Sequence, residues 1–196
     1  IFDIEFTPNR GDCLSIRGLL RDLNSLYDLN IDNEIYKNKI NDLKIDFTNN
    51  LIDFCPKISF LHVEIDKIPD VYSSQVEDYF LDLNVKKNNF FTDISNYLSY
   101  ETGQPTHCYK NSAIDGIKLD CIKSNQKFLT LLDKTIELDK NDIAFFNNNN
   151  DVINLAGIVG GKSTACDQST KSVLIECAYF CPEKIIGKTI KHNINS

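Results

Sequence analysis

The spacing of apolar positions changes several times along the chain, and each change marks an element. Residues 1–8 alternate apolar and polar up to Pro8, which predicts a short strand of period 2. Asn9-Arg10-Gly11-Asp12 reads as a turn. Leu14, Ile16, Leu19, Leu20, Leu23 and Leu26 then recur at helical spacing, with Asp12 as the expected N-cap and an end near residues 27–30. Residues 31–42 are polar and read as a connector. Strands are predicted over 43–47 and 60–65, the latter with Leu61, Val63 and Ile65 on one face. Beyond Pro69, helices are expected over 73–83 and 94–100, the second stopping at Gly103-Gln104-Pro105.

The C-terminal half reads as short strands joined by turns, over 117–122, 130–132 and 142–146. Residues 152–159 are apolar and predict one buried strand entering the Gly160-Gly161 turn; 173–178 predict another. Pro182 then opens a helix over 183–191, because its missing N–H is not needed in a first turn. Strands mixed with separate helices, without strict alternation, point to an α+β fold. The expected division is a small helical N-terminal unit with its connector, residues 1–42, and a larger mixed, largely antiparallel domain, residues 43–196.

Charge and composition narrow the function classes. The 196 residues carry a net charge of −7, with no general basic face for nucleic acid, so any RNA contact must be local or shared with a partner. No apolar run is long enough for a membrane helix, and no signal-peptide pattern opens the chain. Seven cysteines, an odd number with no C-x-x-C pair, read as reduced thiols in a cytosolic protein. No metal-ligand spacing is present. A chain that begins at Ile1 and contains no Met reads as a piece of a longer protein.

Three positions stand out on chemical grounds. Glu176 sits inside the apolar run Val173-Leu174-Ile175-Glu176-Cys177-Ala178, where a carboxylate needs a donor. An ion pair or a water-facing edge would satisfy it as well as a ligand would. Gly160 and Gly161 follow a buried run, suiting close approach of backbone to a ligand or a plain turn. His107, at a loop edge beyond a helix, has a side chain able to orient water near neutral pH or to hold structure.

Four segments in order carry a family resemblance: Glu5-Phe6-Thr7-Pro8-Asn9-Arg10-Gly11-Asp12-Cys13-Leu14-Ser15; Asp93-Ile94-Ser95-Asn96-Tyr97 with Glu101-Thr102-Gly103-Gln104-Pro105-Thr106-His107; Leu155-Ala156-Gly157-Ile158-Val159-Gly160-Gly161; and Leu174-Ile175-Glu176-Cys177-Ala178-Tyr179-Phe180-Cys181-Pro182. Together they resemble the β subunit of bacterial phenylalanyl-tRNA synthetases, from the end of its B1 domain through a C-terminally truncated B3/B4 domain. The resemblance implies an editing domain that hydrolyses tyrosine misattached to tRNA(Phe). It further implies a cytoplasmic α2β2 enzyme with a partner α subunit, and ATP and Mg2+ used at a site outside this chain, with no cofactor within it.

The same resemblance implies roles for matching positions. Glu176 would read the tyrosine hydroxyl, Gly160 would line the amino-acid site, and His107 would position the hydrolytic water. Asn96 would hold the same region, Ser95 would keep a hydroxyl where Thr is common, and Ser196 would stand for a Thr of the site wall. Cys108 has no nucleophilic role in that family. Lys110, Lys134, Lys162 and Asn195 depart from the family pattern. Arg10, Arg17 and Arg21 give the first helix a local basic character, open to a tRNA contact or a solvated face. The alternative to an editing hydrolase is a non-catalytic structural, amino-acid-binding or tRNA-binding module that has lost editing.

Overall fold

The computed structural model of the chain describes residues 3–31 and 40–194. It divides into two compact units, one of Ile1–Asp42 with Lys67–Thr106, the other of Leu43–Asp66 with His107–Ser196. The sequence suggested a single break at 42/43; the stretch Lys67–Thr106, with both helices predicted there, instead groups with the N-terminal residues.

Helices α1 (Ile16–Tyr27), α2 (Ser74–Asp82) and α3 (Phe90–Thr102) build the first unit. Residues 3–8 form no strand, since alternation yields a strand only where a neighbour completes the ladder. The N-cap of α1 is Ser15 rather than Asp12: its hydroxyl accepts the Gly18 N–H at 3.0 Å. Asp12 falls in a 3-10 turn (Gly11–Cys13) and pairs with Arg10 at 3.1 Å and Arg21 at 3.2 Å. Arg10 also reaches Asp22 at 2.6 Å, and Arg17 reaches Glu101 of α3 at 2.9 Å. The basic face of α1 is therefore largely spent on ion pairs. Helix α3 begins earlier than expected because Asn89 caps it, accepting from Thr92 N–H, and it ends at Gly103 in the left-handed region. Asp93, fully buried, accepts from the Tyr72 hydroxyl at 2.7 Å and from Asn88 N–H at 2.8 Å.

The second unit holds strands β1 (Phe47–Asn49), β2 (Lys57–Glu64), β3 (His107–Lys110), β4 (Ile117–Cys121), β5 (Gln126–Leu129), β6 (Thr135–Leu138), β7 (Ile143–Phe146), β8 (Val152–Leu155), β9 (Val159–Gly160) and β10 (Ser172–Tyr179). The short helices α4 (Pro182–Ile185) and α5 (Lys188–His192) follow. One sheet runs β1-β4-β7-β8-β9, parallel only between β1 and β4. A second, antiparallel sheet runs β2-β10-β3, and β5 and β6 form a separate hairpin.

Both faces of the five-stranded sheet are buried. On one side Ile117, Leu119 and Phe145 pack with Tyr109 and Leu174 of the three-stranded sheet. On the other, Ala144, Phe146 and Leu155 pack with Phe128, Ile136 and Leu138 of the hairpin. Burial on two faces explains why β7 reads as an unbroken apolar run and β8 as one interrupted only by Asn154.

Several expectations shift in this unit. The run 152–159 is two strands, turned at Gly157 (φ 71°), where only a residue tolerant of positive φ fits easily. The helix expected over 183–191 breaks at Gly187 (φ 83°). Thr130 makes an isolated bridge to Gly161, and the hairpin strands flank it. The strand expected at 43–47 begins only at Phe47.

Helix α5 is tied down by Asp142, which is fully buried. Its carboxylate accepts from Lys191 Nζ at 2.7 Å and from His192 Nε2 at 3.0 Å on one oxygen, and from Asp139 N–H at 3.0 Å on the other. Burial alone would raise its pKa, but the Lys191, Asp139 and His192 hydrogen bonds outweigh burial and bring it to about 2. The folded value lies below the ordinary 3.8, so the stabilisation is complete above that pH and is lost as pH falls toward 2. Asp142→Ala should cost about 3 kcal/mol at pH 7, by leaving the buried His192 and its neighbours without their acceptor. Thermal unfolding of variant and parent should converge as the pH is lowered from 4 to 2.

Candidate functional site

Three of the sequence candidates, His107, Gly160 and Glu176, lie in the second unit and meet there. His107 opens β3, the strand that the sequence reading took for a loop edge, and pairs in register with Glu176 on β10. Alternation along β3 places His107 and Tyr109 on one face, and alternation along β10 places Leu174, Glu176 and Ala178 on one face. That face carries the shared core, with Leu174 buried in it and Ala178 packed against it. In the facing sheet, Phe145, Asn154 and Gly160 stand opposite one another on β7, β8 and β9.

A polar chain crosses the core between these two faces. The Tyr109 hydroxyl donates to Glu176 Oε2 at 2.5 Å and accepts from Asn154 Nδ2 at 2.8 Å. Tyr109 is 0% exposed, and Glu176 and Asn154 are each 4% exposed. The donor that Glu176 needs is therefore supplied by a phenol of the same chain. Neither Tyr109 nor Asn154 was singled out from the sequence. The available signal was Asn154 inside the apolar run 152–155, matching Glu176 inside its own run.

The imidazole of His107 lies edge-on to the Tyr109 ring, with centroids 4.5 Å apart. Its Nε2 is enclosed and has no hydrogen-bond partner among the described residues. The ring also lies directly over Gly160: a Cβ there would come within 2.2 Å of His107 Cε1 and 2.7 Å of Nε2. Gly160 is thus a glycine because the imidazole occupies the space of a side chain. Its carbonyl is already used, accepting Leu131 N–H at 2.9 Å.

Low polarity sets the titration of the groups here. Burial raises the Glu176 carboxyl to about 7, although the Tyr109 bond pulls the other way. Burial lowers His107 to about 4, so its ring is neutral at pH 7. Burial and the neighbouring Glu176 charge push the Tyr109 phenol well above its usual value, keeping it a donor. Burial drives Cys108 up to about 12, so this thiol next to His107 is no thiolate near neutrality.

Ser95 and Asn96 belong to α3 in the first unit. The Ser95 hydroxyl donates to the Thr106 carbonyl at 2.6 Å and lies 2.8 Å from Thr106 Oγ1, and Asn96 is exposed. Ser196 and Asn195 lie outside the described residues. The three lysine departures all have partners: Lys110 pairs with Asp167 at 2.8 Å, Lys162 pairs with Asp133 at 2.8 Å, and Lys134 donates to the carbonyls of His192 and Asn193. One group of potential metal ligands occurs among the described residues, Asp12, Cys13 and Asp22, and Arg10 already bonds to all three.

Two outcomes follow from this geometry. Because the folded pKa of Glu176 is raised from 4.5 to about 7, the contribution of this group to stability should be complete below pH 4.5 and be lost as pH rises through 7. Glu176→Gln should abolish that slope, so the stability of the variant relative to the parent should rise by on the order of 2 kcal/mol between pH 5 and pH 8. Chemical denaturation at the two pH values reads it. Gly160→Ala should displace His107 and destabilise by about 2 kcal/mol through overpacking, with a shifted imidazole C–H resonance in NMR spectra as the local readout.

Comparison with known proteins agrees with the fold and widens the context. Residues 73–196 match the model of the B3/4 domain family. Over 209 residues the chain is 30% identical to the phenylalanine–tRNA ligase beta subunit of Francisella tularensis, covering 100% of this chain and 25% of that protein. It is 28% identical to the same subunit of Psychrobacter arcticus over 202 residues, and 30% identical to that of Aquifex aeolicus over 188 residues. The chain spans about a quarter of the length of these curated relatives. A crystal structure of an N-terminal fragment of the phenylalanyl-tRNA synthetase beta subunit from Pyrococcus horikoshii shares the fold, with a TM-score of 0.53 over 90% of this chain and 54% of that one, at 16% identity. With its α+β architecture and a family match over residues 73–196, the chain belongs to the B3/4 domain family and is similar along its whole length to bacterial phenylalanine–tRNA ligase beta subunits.

Proposed function

We propose that this chain is the editing part of a phenylalanine–tRNA ligase β subunit, hydrolysing tyrosine wrongly esterified to tRNA(Phe). The observation that carries the reading is a neutral imidazole, His107, with an unspent Nε2, lying over Gly160 and paired in register with the buried carboxyl Glu176. Tyrosine differs from phenylalanine only by a hydroxyl, so a second, hydroxyl-reading site is the chemical answer to imperfect exclusion at a synthetic site.

In this reading His107 Nε2 orients a water toward the ester carbonyl carbon. The water oxygen adds to that carbon, the ester C–O bond breaks, and the ribose oxygen leaves with a proton. Free tyrosine and tRNA are the products. The α subunit carries the ligation of phenylalanine, with ATP and Mg2+ at a site outside this chain, in a cytoplasmic α2β2 enzyme. No helix among the described residues is long and apolar enough to cross a membrane.

One observation favours the second reading, a module that has lost editing: the Glu176 carboxyl already has its phenol partner in Tyr109. Deacylation of Tyr-tRNA(Phe) by the complete ligase decides between them. The editing reading expects release of tyrosine that falls about 100-fold in His107→Ala and at least tenfold in Glu176→Ala. Deacylation no faster than the uncatalysed ester, or unaffected by both substitutions, would establish the module.

A further inference from the structure

We propose that Tyr109 is a specificity-determining residue of this site, an internal phenol that blunts its preference for tyrosine over phenylalanine. The inference rests on the editing reading and deepens it. Glu176 is the one acidic group on the core face of β10, and it is enclosed. A buried carboxyl can select tyrosine in two ways. It gains a hydrogen bond from the ligand hydroxyl, and it penalises phenylalanine by being left without a donor. The second effect is the larger, because an unsatisfied buried polar group loses its full hydration while a formed bond only replaces one made to water.

Tyr109 cancels that second effect. Its hydroxyl donates to Oε2 in the unliganded fold, and Asn154 Nδ2 holds the same oxygen from the other side at 2.8 Å. The phenol is thereby fixed in orientation, with its proton directed at Glu176 and its lone pair directed at Asn154. Its ring cannot swing aside freely, being fully buried and packed edge-on against His107. Phenylalanine arriving at such a site leaves no carboxyl orphaned. Tyrosine arriving there must add a second donor to an oxygen pair already partly engaged. Both changes act in the same direction, toward weaker discrimination.

The position of Tyr109 also makes its hydroxyl separable from its ring. The ring fills the shared core with Leu119, Phe145 and Leu174, so a phenyl group in its place keeps the packing and removes only the donor. Asn154 then loses its acceptor and Glu176 its donor, and the penalty that selects for a hydroxyl-bearing ligand is restored.

The test is isothermal titration of the full chain, and of its Tyr109→Phe variant, with L-tyrosine and separately with L-phenylalanine. The proposal expects the parent to bind the two within about threefold of each other and the variant to favour tyrosine by roughly tenfold or more. A variant whose ratio stays at the parental value, or shifts toward phenylalanine, overturns it while leaving the editing reading intact. A parent that already favours tyrosine more than tenfold overturns it as well, even if the variant fails to fold. Binding of neither amino acid to either protein overturns the proposal, and the deacylation assay of the complete ligase then decides the editing reading separately. Adding Glu176→Gln to Tyr109→Phe should return the ratio to the parental value, an outcome that simple loosening of the core would not produce.

Discussion

The hydrogen-bonded chain Asn154–Tyr109–Glu176 is the constraint around which the second unit is built. It joins β8 of one sheet to β3 and β10 of the other through a core that is otherwise apolar. Apolar contact between two sheets is tolerant of small slips, whereas a phenol caught between an amide and a carboxyl has one satisfactory placement. The chain therefore fixes the register in which the sheets face each other. It also fixes Tyr109, and through the edge-on ring contact it fixes His107, which in turn requires a glycine at position 160. One polar crossing thus accounts for the placement of Glu176, His107 and Gly160.

The same low polarity that makes the crossing strong determines its chemistry. Burial opposes charge on Glu176 and on His107, so the carboxyl titrates near neutrality and the imidazole stays neutral. A neutral imidazole with a free nitrogen can accept a proton from water; a protonated one could not. Elsewhere in the unit the opposite arrangement holds. Asp142, equally buried, stays ionised because Lys191 and His192 converge on it. Two buried carboxyls in one small fold are thus driven apart by their neighbours, one a phenol, the other two cationic or basic side chains. The first suits recognition of a neutral hydroxyl, and the second holds α5 in place.

What was legible in the sequence follows from which forces are local. Helices α2 and α3 and strands β4, β7 and β10 were readable because their apolar spacing, caps and breakers lie within the segment itself. Strand β3 was not readable, because its inward positions are His107 and Tyr109, and a histidine and a tyrosine do not announce a core face. The alternating residues 3–8 look like a strand and are none, since pairing is decided by a distant partner. Gly157 and Gly187 were both visible as glycines, but their positive φ, which splits one predicted strand and one predicted helix, belongs to the tertiary path. At the site, Glu176 was conspicuous as a charge in an apolar run. Its partner was hidden, because Tyr109 is apolar enough to pass for ordinary core. Asn96 and Ser95, implied by the resemblance, reside in the other unit on α3.

A group that completes the unliganded fold is a poor discriminator of ligands. Stability asks that Glu176 be satisfied in the free protein, and selectivity asks that it be unsatisfied until the right ligand arrives. The two demands meet at a single hydroxyl, the one that distinguishes tyrosine from phenylalanine both at position 109 and in the proposed ligand. With tyrosine there, the carboxyl is satisfied and the two sheets are joined, and in the proposed site the free energy that would separate two amino acids is already realised in folding. A phenyl ring at the same position would reverse the allocation without altering the packing. The balance between a robust core and a sharp site in this chain therefore reduces to one oxygen atom on β3, bonded on one side to Asn154 and on the other to Glu176.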